Sequence, residues 1–154
     1  MRWHTAFAPA GLLLTLAAVA CGTGGSPELS AGQPAVGSTR ASTAALYLEV
    51  ENRGDGDDAL VGVSCECAEG ASLHLTEDRN GIAIMQATDM LSVPAESVVE
   101  LRPGGPHIML EGLRGPLEEG AAIEVGLEFS QSPPMTVEVP VVPLESLAER
   151  VPEQ

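Results

Sequence analysis

Lysine is absent from the 154-residue chain, and aromatic residues nearly so: one Trp, one Tyr and two Phe. All seven cations are Arg, set against 22 acidic residues, for a formal charge of −15. A chain so short of positive charge has no basic patch to neutralise phosphates, which excludes nucleic acid as a partner. With few aromatics, the core must be built from Val, Leu, Ile and Ala. Hydrophobic residues make up 44% of the chain, and 17 Gly and 12 Pro interrupt them often. That balance favours one small all-β domain over a helical one.

Long apolar runs are also lacking, except at the start. "MRWHTAFAPAGLLLTLAAVAC" places Arg2 before an apolar run from Ala6 to Ala20, with small residues ahead of Cys21. The run is too short and too alanine-rich for a membrane span, and it reads as a signal peptide over residues 1–20. Ala18-x-Ala20 suits an ordinary signal peptidase, whereas "AVAC" resembles a lipobox in which Cys21 becomes a lipidated first residue. The lipidated reading is preferred because "GTGGSPELSAGQP" has the composition of a tether. Residues 21–42 are therefore expected to be a lipidated cysteine and flexible linker, 43–145 the folded domain and 146–154 a short tail. The domain is expected outside the cytoplasm, on the outer face of the cytoplasmic membrane or in the periplasm, held by its lipid.

Only two other cysteines remain, Cys65 and Cys67 in "VSCECAEG". In an exported chain this C-x-C pair can close a disulfide, serve as an accessory metal site or stay as two thiols. Without a helix-starting C-x-x-C, a thioredoxin-like role has little support.

From residue 43 onward strand follows strand: "TAALYLEVEN", "ALVGVS", "ASLHLTE", "GIAIMQAT", "SVVELR", "HIMLEGL", "AAIEVGLEF" and "MTVEVPVV". Gly, Pro, Asn or Asp bounds each. About eight short antiparallel strands at this spacing predict a β-sandwich or barrel. The one helical candidate, "LESLAERV", is too short to stand alone.

Asn80-Gly81 is the signal for a two-residue hairpin loop, since both positions need positive φ. Such a loop pairs Arg79 with Ile82, Thr76 with Met85 and His74 with Ala87. Side chains alternate between faces, so His74 and Met85 become diagonal neighbours on one face. His107 and Met109 share a face of their own strand by the same alternation. Any one of these four alone reads as core filler or strand surface. Two imidazoles and two thioethers in two same-face pairs read instead as a soft donor set suited to Cu(I), because thioether sulfur competes poorly for zinc, calcium or magnesium.

The full spacing, His74-x10-Met85-x21-His107-x-Met109, resembles the signature of the periplasmic Cu(A) chaperone family, PCu(A)C. The surrounding "YLEVENRGDGDDALVGVS", "LHLTEDRNGIAIMQ" and "VPAESVVELRPGGPHIMLEGLRGPL" are also similar to it, from about Thr43 to Val141. The resemblance implies a cupredoxin-like β-sandwich that holds Cu(I) with these four residues. It further implies delivery to an acceptor, typically the Cu(A) subunit of cytochrome c oxidase. Three departures stand out. The chain ends in "LAERVPEQ", without the His- and Met-rich tail of many relatives. The aromatic and arginine usual in the family's first strand are not evident in "QPAVGSTRAST". Cys65 and Cys67 fall where many relatives have serine.

Other classes fit less well. A blue-copper carrier needs a cysteine thiolate beside its histidine, and none lies near His107. The serines and three histidines form no catalytic triad, so the chain does not read as an enzyme. A copper scavenging or storage lipoprotein would use the same four residues, and a metal-free interaction module would leave them unexplained.

Overall fold

The computed structural model describes residues 25–79 and 82–150; the leader, Cys21 and the Asn80-Gly81 loop lie outside the described residues. Ten strands run in order: β1 (Leu29–Gly37), β2 (Thr43–Asn52), β3 (Asp58–Ser64), β4 (Ala68–Arg79), β5 (Ile82–Thr88), β6 (Leu91–Val93), β7 (Ser97–Leu101), β8 (His107–Leu113), β9 (Ala122–Phe129) and β10 (Met135–Val142). Their path is β5-β4-β8-β2-β1-β10-β9-β3-β6, with β7 also paired to β2. The path folds over on itself as a cupredoxin-like β-sandwich. Leu46, Leu48, Val50, Ile108 and Leu110 from one half meet Leu60, Val125, Leu127, Val139 and Val141 from the other in one aliphatic core. Alternation is what supplies that face: in β2 every second residue from Leu46 to Asn52 is buried.

All eight expected strands are present, and β1 and β6 are additional. β1 corrects the expected linker, because nine of the 22 residues in the 21–42 segment form a strand. It pairs antiparallel with β2 along Leu29↔Asn52 to Val36↔Leu46 and parallel with β10 at Val36↔Val141. The register shifts between Gly32 and Ala35, where Gln33 has φ of 49°. A bulge containing Pro34, in a strand rich in Gly and Ser, hides the alternation that marks the other strands. β6, at three residues, is too short to show a period. The expected tail also folds in part: Leu144–Arg150 is a 3-10 helix whose Leu147 is buried. Gly37 admits this helix, since a side chain there would meet Leu144 and Leu147.

Asp58 ties β3 to the β9–β10 loop. Its carboxylate accepts hydrogen bonds from the Ala59, Gln131 and Ser132 amides and the Ser130 hydroxyl, all at 2.7–2.9 Å. Burial pushes its pKa up, but the bonds from Ser132, Ala59, Ser130 and Gln131 outweigh this and hold it at about 2, below the usual 3.8. The folded state thus prefers the ionised form. That preference contributes about 2 kcal/mol at neutral pH, by linkage. The contribution is complete above about pH 4 and is lost as pH falls through 2. Urea unfolding of Asp58→Asn should accordingly show a flatter stability profile than wild type between pH 4 and 2; an unchanged acid slope would remove Asp58 from this role.

Candidate metal centre

β7 and β8 both pair with β2, one after the other: Leu101 opposes Leu48 and Ile108 opposes Leu46. The five residues Arg102–Pro106 leave that line as a loop. "RPGG" closes it as a type II turn, with Pro103 and then Gly104 at φ 76°, and the Gly105 amide donates to the Arg102 carbonyl at 3.0 Å. The Arg102 amide in turn donates to the Pro106 carbonyl at 2.8 Å. His107 emerges directly from this loop as the first residue of β8.

β8 then runs between β2 and β4, and its register brings the two histidines together. His74 is the direct partner of His107, and Ser72 is the partner of Met109, which faces Ala45 on its other side. On β5, Met85 opposes Thr76 and Ala87 opposes His74, the pairing a two-residue hairpin loop requires. Because paired residues share a face, Met85, His74, His107 and Met109 lie on one face of three neighbouring strands, β5, β4 and β8. Leu73, Ile108 and Leu46 point the other way, into the core. The four residues singled out by spacing therefore form one cluster on the outer face of the sandwich.

The imidazole centroids are 5.6 Å apart. His107 is 4% exposed, and its Nδ1 lies 3.0 Å from the Gly105 carbonyl oxygen. A carbonyl only accepts, so Nδ1 carries the proton and Nε2 keeps a free lone pair. Tyr47 flanks the same ring, centroids 6.4 Å apart and tilted by 55°. Burial pushes the Tyr47 hydroxyl pKa up, so this neighbour stays neutral. The second ring, His74, is half-buried; its Nε2 lies 3.0 Å from the Ser72 hydroxyl, and its Nδ1 is buried without a hydrogen-bond partner among the described residues. An orphaned buried nitrogen costs free energy unless something else satisfies it, and a metal ion is one such partner. Met109 is half-buried, whereas Met85 is 61% exposed.

Two imidazoles, each oriented by a hydrogen bond through one ring nitrogen and presenting the other, beside two neutral sulfurs, fit a soft monovalent ion. Among the described residues no three of His, Cys, Asp or Glu gather into a metal site, so a hard-ion alternative has no donor set there. The residues that spacing alone did not single out are Tyr47, Ser72 and Gly105. Ser72 was open to discovery, standing two residues before His74 on the same strand face. Tyr47 and Gly105 needed the β2–β8 register.

Cys65 and Cys67 are joined by a disulfide at the β3–β4 turn. They sit by Ala68, which pairs with Leu113, at the far end of the β4–β8 ladder from the His74–His107 pair. No cysteine among the described residues is therefore close enough to supply the thiolate of a blue-copper centre. Among the described residues no helix is long and apolar enough to cross a membrane.

Comparison with known proteins agrees with this fold. A curated protein of Leifsonia xyli subsp. xyli, "Putative lipoprotein Lxx21020", is 43% identical over 98 residues, 63% of this chain; the matched region spans 59% of that relative. Among solved structures, the copper-bound PCuAC domain from PmoF2 superposes with a TM-score of 0.64 at 24% identity, over 75% of this chain and 92% of that one. The solution structure of Cu(I)-DR1885 from Deinococcus radiodurans gives 0.61 at 28% identity, over 74% and 77%. Its apo form gives 0.55 at 25% identity, over 91% and 97%. A family model described as "Putative lipoprotein LpqE-like" matches residues 27–141, beginning just ahead of β1 and ending within β10. With most of its folded part so matched, the chain belongs to the LpqE-like family, and its domain has the PCu(A)C fold.

Proposed function

We infer that the domain carries one Cu(I), held by His74, Met85, His107 and Met109, and passes it to an extracytoplasmic acceptor, the Cu(A) centre of cytochrome c oxidase. The observation that carries this reading is the His74–His107 cross-strand pair, in which one ring has its proton fixed by Gly105 and the other a buried nitrogen without a partner. The copper-bound relatives of the same fold support copper as the cargo. The protein is read as a carrier, not a catalyst, because it need change no bond in what it delivers.

The exposure of Met85 favours hand-over above storage. A ligand on the edge strand β5, open to solvent, can be replaced one donor at a time by an incoming cysteine or histidine of an acceptor. A store would enclose its ion. The lipoprotein family and the leader pattern ending at Cys21 support an exported, lipid-anchored location. An anchor made of two acyl signals holds stably at a membrane.

Transfer itself is the test. Cu(I)-loaded protein mixed anaerobically with excess apo Cu(A) domain should lose its copper to that domain within minutes, read as the copper content of each protein after the two are separated. Retention of copper in the presence of excess acceptor would point to a scavenging or storage lipoprotein instead.

A further inference from the structure

The function proposed above leaves the Cys65–Cys67 disulfide without a role. It closes a loop with one residue inside, Glu66. Stabilisation by a cross-link grows with the length of loop it closes, so this one restrains the unfolded chain little. It packs half-buried against the edge of the core, at the rim of a shallow depression shared with Ser64, Glu66, Glu124 and Thr136. Two features of the turn are independent of the S–S bond. The Ala68 amide donates to the Cys65 carbonyl at 3.3 Å, and the Arg114 amide donates to the Cys67 carbonyl at 2.9 Å. These bonds hold the two Cα atoms, 5.1 Å apart, on the same side of the turn whether or not the sulfurs are joined. A third feature selects between the sulfurs: the Cys67 amide donates to Cys65 Sγ at 3.2 Å. A hydrogen bond to sulfur favours its anionic form, making Cys65 the better leaving group.

We propose that Cys65 and Cys67 form a redox-gated second Cu(I) site, closed as the disulfide and opened by exchange with a dithiol reductant. A donor thiolate attacks Cys67 Sγ, the S–S bond breaks, and Cys65 leaves as the thiolate that the Cys67 amide stabilises. The donor's second thiolate attacks the mixed disulfide, releasing Cys67 and carrying away both lost electrons' worth of oxidation as its own disulfide. The freed pair of thiols releases two protons to solvent as it binds Cu(I), a soft ion that two thiolates select over harder metals. Glu66 and Glu124 oppose the thiolate charge but favour the approaching cation, and they disfavour anionic competitors. Exchange with an oxidised dithiol reverses the sequence and expels the ion. The site is separate from the His/Met cluster: Ala68 and His74 are six residue steps apart along β4, about 20 Å at the strand rise.

The experiment uses the full-length chain carrying Cys21→Ser, so that Cys65 and Cys67 hold its only thiols. It is compared oxidised and after dithiol reduction with anaerobic removal of the reductant, and Cu(I) is titrated against a Cu(I)-specific chelator. The expected stoichiometry rises from one ion to two on reduction. A Cys65→Ser/Cys67→Ser chain should stay at one in both states. Adding His107→Ala to the Cys21→Ser background should leave an ion bound only after reduction, which separates this site from the His/Met reading. Equal stoichiometry in both states overturns the proposal, as does an additional ion that persists in the double serine chain. Loss of the far-ultraviolet strand signal on reduction also overturns it, because the site requires the turn to persist.

Discussion

His107→Ala should lower Cu(I) affinity by about a hundredfold or more, the largest effect expected of any single change at the cluster. Removing a partner that merely orients a metal ligand typically costs about 10–100-fold, so removing the ligand sets that range as a lower bound. His107 is also almost fully buried beside Tyr47, so its loss leaves a hole and should cost roughly 2 kcal/mol of stability. Met109→Leu separates the two effects. Leucine is close to methionine in volume and Met109 is only half-buried, so stability should change by less than about 1.5 kcal/mol while Cu(I) affinity falls. Competition titrations with a Cu(I) chelator read the first quantity and urea unfolding the second. Should Met109→Leu unfold the domain and leave affinity intact, Met109 is a packing residue and the donor set fails.

The largest stability effect is expected away from the cluster, at Asn52. This side chain is 1% exposed at the end of β2 and makes four hydrogen bonds to backbone. Its Oδ1 accepts from the Glu28 amide at 3.1 Å and the Gly54 amide at 3.0 Å. Its Nδ2 donates to the Gly56 carbonyl at 2.8 Å and the Val93 carbonyl at 3.2 Å. One amide thereby joins the chain entering β1, the 53–57 turn and the edge strand β6. Asn52→Ala would leave buried backbone groups without partners, each costing about 1–3 kcal/mol, with some relieved by entering water. A net loss of about 3–5 kcal/mol follows, or roughly 10–15 °C in Tm. Asn52→Asp keeps the shape and the acceptor side but turns a second oxygen toward two carbonyls, so it should be nearly as damaging, and worse as pH rises above the carboxylate range. A scan showing Asn52→Asp as stable as wild type would mean the Nδ2 bonds contribute little.

Much of the candidate cluster was written locally. Alternation in "LHLT", "AIMQ" and "HIML" fixes which side chains share a face, because the strand period is two whatever the strand packs against. The Asn80-Gly81 signal predicts the β4–β5 register from sequence, and the observed Thr76↔Met85 pairing is the one it requires. "RPGG" likewise encodes the turn from which His107 starts.

Tertiary structure decided the rest. Residues 74 and 107 are 33 positions apart, and no local rule makes them partners; β4 and β8 become neighbours because their Leu73 and Ile108 faces must be buried against the same core. The same burial sets the environment of each ring, fixing the His107 proton against Gly105 and leaving His74 Nδ1 without a partner. β1 was recruited from a segment that composition assigns to a tether, since the exposed edges of β2 and β10 accept its backbone hydrogen bonds even where its side chains show no period. Local chemistry thus specified which atoms face outward on each strand. Only the non-local need to bury aliphatic faces and pair strand edges determined which of those atoms meet.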